Sequence, residues 1–120
     1  MASPPVATEI RIRRAARCLE VLFDDGHEAS LPAEYLRVES PSAEVQGHAP
    51  DQKVLVSGKQ HVNIVAAEPI GNYAVRLRFT DGHDTGIYSW PYLRLLSAEY
   101  GERWRVYLAA LATQGLRRTA

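Results

Sequence analysis

Two copies of one local pattern constrain this chain more than any other feature. Phe23 to His27 reads F-D-D-G-H and Phe79 to His83 reads F-T-D-G-H. After a short run each copy reaches Tyr-Leu-Arg, as Tyr35-Leu36-Arg37 and Tyr92-Leu93-Arg94, with one extra residue in the second copy. Two matched motifs in the same order predict an internal repeat. Asp-Gly between apolar runs favours a tight hairpin, because glycine takes positive φ at little cost and aspartate tolerates it. The same hairpin tip is expected twice, in place of a duplicated active site.

The residues around the tips predict strands. Glu9-Ile10-Arg11-Ile12-Arg13 alternates polar and apolar, and Cys18 to Phe23 runs into the first tip and returns as Glu28 to Leu31. Pro32 suits the first turn of a short helix through Arg37. In the second half, His61 to Ile70 predicts a strand, Gly71-Asn72 a turn, and Tyr73 to Phe79 a strand with Tyr73, Val75, Leu77 and Phe79 on one face. Thr85 to Tyr88 returns from the second tip, and Pro91 opens a helix carrying Tyr92, Leu93 and Leu96. Ser97 is expected to cap a last helix, with Glu99 in its first turn. Tyr100, Trp104, Tyr107, Leu108 and Leu111 fall at helical spacing, and Gly115 can end it.

The sum is an α+β, two-layer domain: a mostly antiparallel sheet of about six strands with hairpins, short helices and a C-terminal helix packed on it. Residues 1–8 are expected as a flexible tail, 9–113 as a single domain and 114–120 as a second tail. The stretch E-S-P-S-A-E-V-Q-G-H-A-P-D-Q, within residues 39–60, is polar with two prolines and a glycine, and reads as a surface loop.

At 120 residues the chain can bury one core without staples. Fourteen basic residues balance fourteen acidic ones, so nothing pulls the chain towards nucleic acid or an anionic membrane. The basic stretch Arg11 to Arg17 and the pair Arg117-Arg118 read as a solvated strand face and a helix tail. No apolar run approaches the ~20 residues of a membrane span. Cys18 is the only cysteine, which excludes an intramolecular disulfide and a cysteine cage. Together with the lack of a secretory leader at the start, this gives a cytoplasmic expectation.

The common enzyme motifs are absent: no phosphate loop, no dinucleotide fingerprint, no G-x-S-x-G and no H-E-x-x-H. Cys18, at the edge of an apolar strand, reads as a buried structural thiol. His27 and His83 hold matching places after the tips, His48 lies in the polar loop and His61 precedes a strand. Two histidines with Asp25 and Asp81 could hold a metal if the repeats met face to face, but turn chemistry already explains both aspartates. Trp90, with Tyr88 and Tyr92, could form an aromatic contact surface or pack in the core.

The run Glu68 to Leu93, E-P-I-G-N-Y-A-V-R-L-R-F-T-D-G-H-D-T-G-I-Y-S-W-P-Y-L, resembles the signature of the gamma-butyrobetaine hydroxylase-like N-terminal domain family. With L-E-V-L-F-D-D-G-H and L-P-A-E-Y-L-R upstream, the resemblance extends from about Ile10 to Leu96. In the carnitine-pathway dioxygenases this domain precedes a separate catalytic domain carrying the iron and 2-oxoglutarate chemistry, so the resemblance implies no oxygenase activity here. It also implies a structural zinc in those dioxygenases, held by three cysteines after a Leu-Arg and one histidine after the second tip. His83 is similar to that histidine, and the cysteine positions fall on about Ser40, Ser42 and Val45, none a good zinc ligand.

A similar domain ends a plastid P-loop protein that carries iron–sulfur clusters, which implies by analogy an accessory role in cluster or cofactor maturation. The function expected is a small, non-enzymatic, monomeric module without a cofactor that binds an unidentified partner protein through Asp81, Gly82, His83, Tyr88 and Trp90. The alternative is a metal-binding domain, for zinc or iron, with His83 as ligand aided by His48 or His27.

Overall fold

The computed structural model describes residues 4–119. Two three-stranded antiparallel sheets are built from consecutive segments: β1 (Ala7–Arg13), β2 (Cys18–Phe23) and β3 (Glu28–Pro32) form one, and β4 (Ile64–Ile70), β5 (Ala74–Phe79) and β6 (Gly86–Ser89) form the other. Each sheet runs straight into a helix, α1 (Ala33–Val38) after β3 and α3 (Trp90–Ala98) after β6. Between the halves lie α2 (Ala43–Gln46) and a 3-10 turn at Pro50–Gln52, and α4 (Tyr100–Gln114) closes the chain. The fold is α+β, with its six strands divided between two sheets.

The repeat predicted from D-G-H extends to irregularities that no sequence pattern announces. The β1–β2 register breaks between Ala7 and Glu9, and the β4–β5 register breaks between Ile64 and Ala66, so Thr8 and Val65 are matching bulge residues. Asp24 N donates to Val6 O at 2.9 Å, and Thr80 N donates to Asn63 O at 2.9 Å. Ala33 N reaches Arg17 O, and Trp90 N reaches Tyr73 O. The halves differ where the first hairpin spends an extra residue on its turn, with Arg17 at φ 51°.

Alternation sends Leu19, Val21 and Phe23 of β2 and Val75, Leu77 and Phe79 of β5 into one shared core, where Leu36 and Leu93 of the two equivalent helices join them. Tyr100 and Trp104 pack α4 against this core, and Tyr35 lies between them, 4.6 Å and 6.2 Å from their ring centroids. No ladder joins β1 to β4. Side chains bridge those edges instead: Arg14 Nη2 donates to Val65 O at 2.8 Å and Asn63 Nδ2 to Arg14 O at 3.0 Å.

Several local expectations shift. The N-terminal tail is shorter, with Val6 already bonded to Asp24 and β1 beginning at Ala7; residues 1–3 of that expected tail lie outside the described residues. Ser97 lies inside α3 and caps nothing, while Glu99 is the residue from which α4 starts. Tyr73 sits in the turn, exposed, where it starts no core stripe. Cys18 is half-buried, with Ser30 Oγ 3.6 Å from its sulfur. The expected C-terminal tail is fastened: Arg117 O and Arg118 O accept from Gly58 and Gln60, and Arg118 forms a bidentate pair with the buried carboxylate of Glu34. The 39–60 stretch is buried at its start, at Glu39, Ser40, Ser42 and Val45, against its reading as a surface loop, while 51–60 are exposed or half-buried, in keeping with that reading.

Candidate functional site

Both D-G-H tips have the same construction. Gly26 at φ 85° and Gly82 at φ 89° take the left-handed turn position. Asp25 Oδ1 accepts from His27 N and Asp81 Oδ1 accepts from His83 N, each at 3.1 Å. Phe23 N and Phe79 N each donate across their turn to the histidine carbonyl at 2.9 Å.

Each tip is then held by the other half of the chain. Arg37 of α1 binds Asp81 of the second tip, and Arg94 of α3 binds Asp25 of the first, both at 2.8 Å. Ser40, just beyond α1, hydrogen-bonds His83 Nε2 at 2.8 Å, and Ser97, near the end of α3, hydrogen-bonds His27 Nε2 at 3.2 Å. Tyr35 donates its hydroxyl proton to Leu96 O and Tyr92 donates to Glu39 O, closing the same exchange. The Tyr-Leu-Arg that follows each tip therefore serves the tip of the opposite half.

The two copies differ in depth. His83 exposes 2 % of its side chain, and Asp81 is joined by Lys59 at 2.7 Å as well as by Arg37. Burial pushes the Asp81 carboxyl up, but hydrogen bonds from Lys59 and Arg37 outweigh it and bring it down to about 2. Burial, aided by the Arg37 charge, pulls the His83 imidazole below its ordinary value and keeps it neutral. Its Nδ1 faces Glu44 Oε2 at 3.2 Å. A carboxylate only accepts, so Nδ1 carries the proton and Nε2 accepts from the Ser40 hydroxyl. Ser42 N donates to that same hydroxyl oxygen, and Ser42 Oγ bonds Thr85 across the gap. At the first tip Asp25 is open to solvent, and its carboxyl is lowered mainly by its hydrogen bond from Arg94.

These directions set the acid response. The folded pKa of Asp81 lies below the unfolded value of about 3.9, so its contribution is complete above that pH and is lost as pH falls towards about 2. The folded pKa of His83 also lies below its unfolded value of about 6.5, so the unfolded chain takes the proton first and stability declines as pH drops below about 6.5. The urea midpoint is expected to decline in both windows, and His83→Gln is expected to flatten only the upper one.

Ser40, His83 and Glu44 stand in the order nucleophile, base, acid, yet Ser40 is 0 % exposed and no substrate can reach its hydroxyl. As metal donors the same positions do not fit a structural zinc. Ser40 and Ser42 offer neutral hydroxyls, Val45 offers none, and both His83 nitrogens already have partners. His27 is bonded in the opposite half, and His48, in the segment after α2, has its backbone N–H bonded to Gln52 Oε1. Among the described residues no three histidine, cysteine or carboxylate side chains gather into a metal-sized cluster.

The aromatic residues expected to face a partner are turned inwards. Tyr88 is 0 % and Trp90 7 % exposed; Tyr88 donates to Leu36 O and Trp90 Nε1 to Asn72 O. With His83 buried as well, only Asp81 and Gly82 of the five sit at the surface rim, and Asp81 is already committed to Arg37 and Lys59.

An open apolar cleft lies elsewhere, between α4 and residues 53–56. Its volume is about 630 Å³, and Val38, Val54, Val56, Val106, Tyr107 and Leu116 line it. Val54 is 49 %, Val106 51 % and Leu116 41 % exposed. At one end the buried Glu39 carboxylate accepts from both Lys53 and Arg103 at 2.9 Å. Sequence reasoning missed this cleft because Lys53 to Val56 carries no periodic signal and Val106 falls off the predicted helix stripe.

The model of the family described as gamma-butyrobetaine hydroxylase-like, N-terminal, matches residues 10–94, a span holding both tips and both Tyr-Leu-Arg segments. The chain belongs to that family. Among solved structures this family member is similar to two proteins studied by solution NMR. One shares 47% identity with a TM-score of 0.85, covering 98% of this chain and 88% of that one. The other shares 43% identity with a TM-score of 0.82, covering 97% and 91%. It is also similar to a crystal structure of a protein of unknown function of the DUF971 family from Acidithiobacillus ferrooxidans, at 45% identity and a TM-score of 0.68, covering 81% of this chain and all of that one. A search of curated proteins finds no match. No helix among the described residues of this family member is long and apolar enough to cross a membrane.

Proposed function

We propose that this domain is a non-catalytic interaction module that takes an apolar segment of a partner protein in the cleft between α4 and residues 53–56. The observation that carries the reading is the gathering of exposed Val54, Val106 and Leu116 on one concave surface. Interior polar groups that might have done chemistry are spent on one another, as in Ser40–His83–Glu44 and Arg37–Asp81–Lys59. The 15 residues of α4 make a wall about 22 Å long, enough to guide three turns of an amphipathic helix. The family resemblance supplies the context, iron–sulfur or cofactor maturation.

A photo-crosslinking residue tests this. Placed at Val106 it is expected to trap one defined protein in cells, while the same group at exposed Glu28, in β3, traps none. Equal, diffuse labelling from both positions would overturn the proposal.

A further inference from the structure

We propose that hydrogen bonds hold in this chain the join that a structural zinc makes in the dioxygenases it resembles, and that the serine positions keep a geometry that cysteine would turn into a metal site. The join fastens the segment after α1 to the second tip. Ser40 Oγ lies 2.8 Å from His83 Nε2, and Ser42 Oγ lies 2.7 Å from Thr85 Oγ1 just beyond the tip. Val45, one turn further on, is 2 % exposed and carries no donor atom.

The first half supplies the independent observation. His27 makes the same histidine–serine bond to Ser97, at a place where α3 passes almost directly into α4 and no ligand-bearing loop follows. A clasp built from histidine and serine is thus part of the repeat itself and works without a metal in one copy. In the second copy Glu44 and Ser42 extend it, satisfying both ring nitrogens and the serine oxygen. A metal would have to displace these partners and would gain only neutral hydroxyls in return.

Metal content and thermal stability of the whole chain, expressed in zinc-supplemented medium, decide the matter. The unaltered protein is expected to carry far less than one zinc per chain, with a Tm that chelator does not move. Ser40→Cys/Ser42→Cys/Val45→Cys is expected to carry one zinc per chain and to lose Tm on chelation, because a ligand that binds only the folded state stabilises it. Adding His83→Gln should weaken that binding at least tenfold. If the triple variant does not fold, Ser40→Cys/Ser42→Cys leaves Val45 in the core and is expected to bind cobalt(II) with a thiolate charge-transfer band. Stoichiometric zinc in the unaltered protein, lost with His83→Gln, would overturn the proposal. So would cysteine variants that fold and bind no metal.

Discussion

Asp81→Ala is expected to cost about 3 kcal/mol and about 10 °C in Tm, while Asp25→Ala, the same change in the same turn, costs far less. Both aspartates cap the turn in the same way and both pair with an arginine from the opposite half at 2.8 Å. Solvent makes the difference. The Arg37–Asp81 pair exposes 12 % and 19 % of its side chains, against 31 % and 42 % for Arg94–Asp25. Removing Asp81 strands two cations, and one of them, Arg37, already holds a buried Nη1 with no partner among the described residues. Urea denaturation of the two variants side by side measures the asymmetry, and equal losses would show that depth does not govern the clasp.

The second large effect is expected at Gly86, within D-G-H-x-T-G-I-Y. A Cβ added there would lie 2.6 Å from Ser40 Oγ and 3.0 Å from the Tyr88 ring, both fully buried. This glycine is required by the close approach of the Ser40 segment, because its φ is not in the left-handed region. Gly86→Ala should therefore cost about 2 kcal/mol by overpacking. Ser40→Ala should cost about 2 kcal/mol by a different route, leaving His83 Nε2 without its donor. In the double variant the crowding and the lost bond share one cause, so the losses should fall short of additive by at least about 1 kcal/mol. Strict additivity would mean that Gly86 and Ser40 do not press on each other.

The sequence patterns that proved legible are those written locally. The tips at Gly26 and Gly82 follow from Asp-Gly chemistry, the strands of β2 and β5 from alternation, and α4 from its aromatic stripe. The repeat held both motifs twice, but nothing in their spacing says that each Tyr-Leu-Arg serves the opposite tip, because Arg37 meets Asp81 across 44 positions. Other features depend on contacts distant in sequence. Ser40 meets His83 across 43 positions, so a polar segment that resembles a solvated loop is buried without any local sign. Tyr88 and Trp90 misled for the converse reason: aromatic rings with polar tips suit an interface, yet both tips found backbone carbonyls inside the fold. Ser97, a good cap by composition, is taken by His27. The α4 cleft needed the path of residues 53–56, which hydrogen bonds such as Val54 N to Val45 O and Tyr107 Oη to Val56 O determine.

The account divides the molecule into an interior clasp that maintains the fold and an outer cleft that meets a partner. Quantitative capture of crosslinked partners by three folded proteins, the unaltered chain, His83→Gln and Val106→Glu, tests that division most directly. Circular dichroism at the capture temperature establishes that each is folded. The account predicts that His83→Gln, although less stable, retains the partner, and that Val106→Glu, although as stable as the unaltered chain, loses it at least tenfold. A folded His83→Gln that loses the partner, with Val106→Glu retaining it, would contradict the account and return the function to the second D-G-H tip.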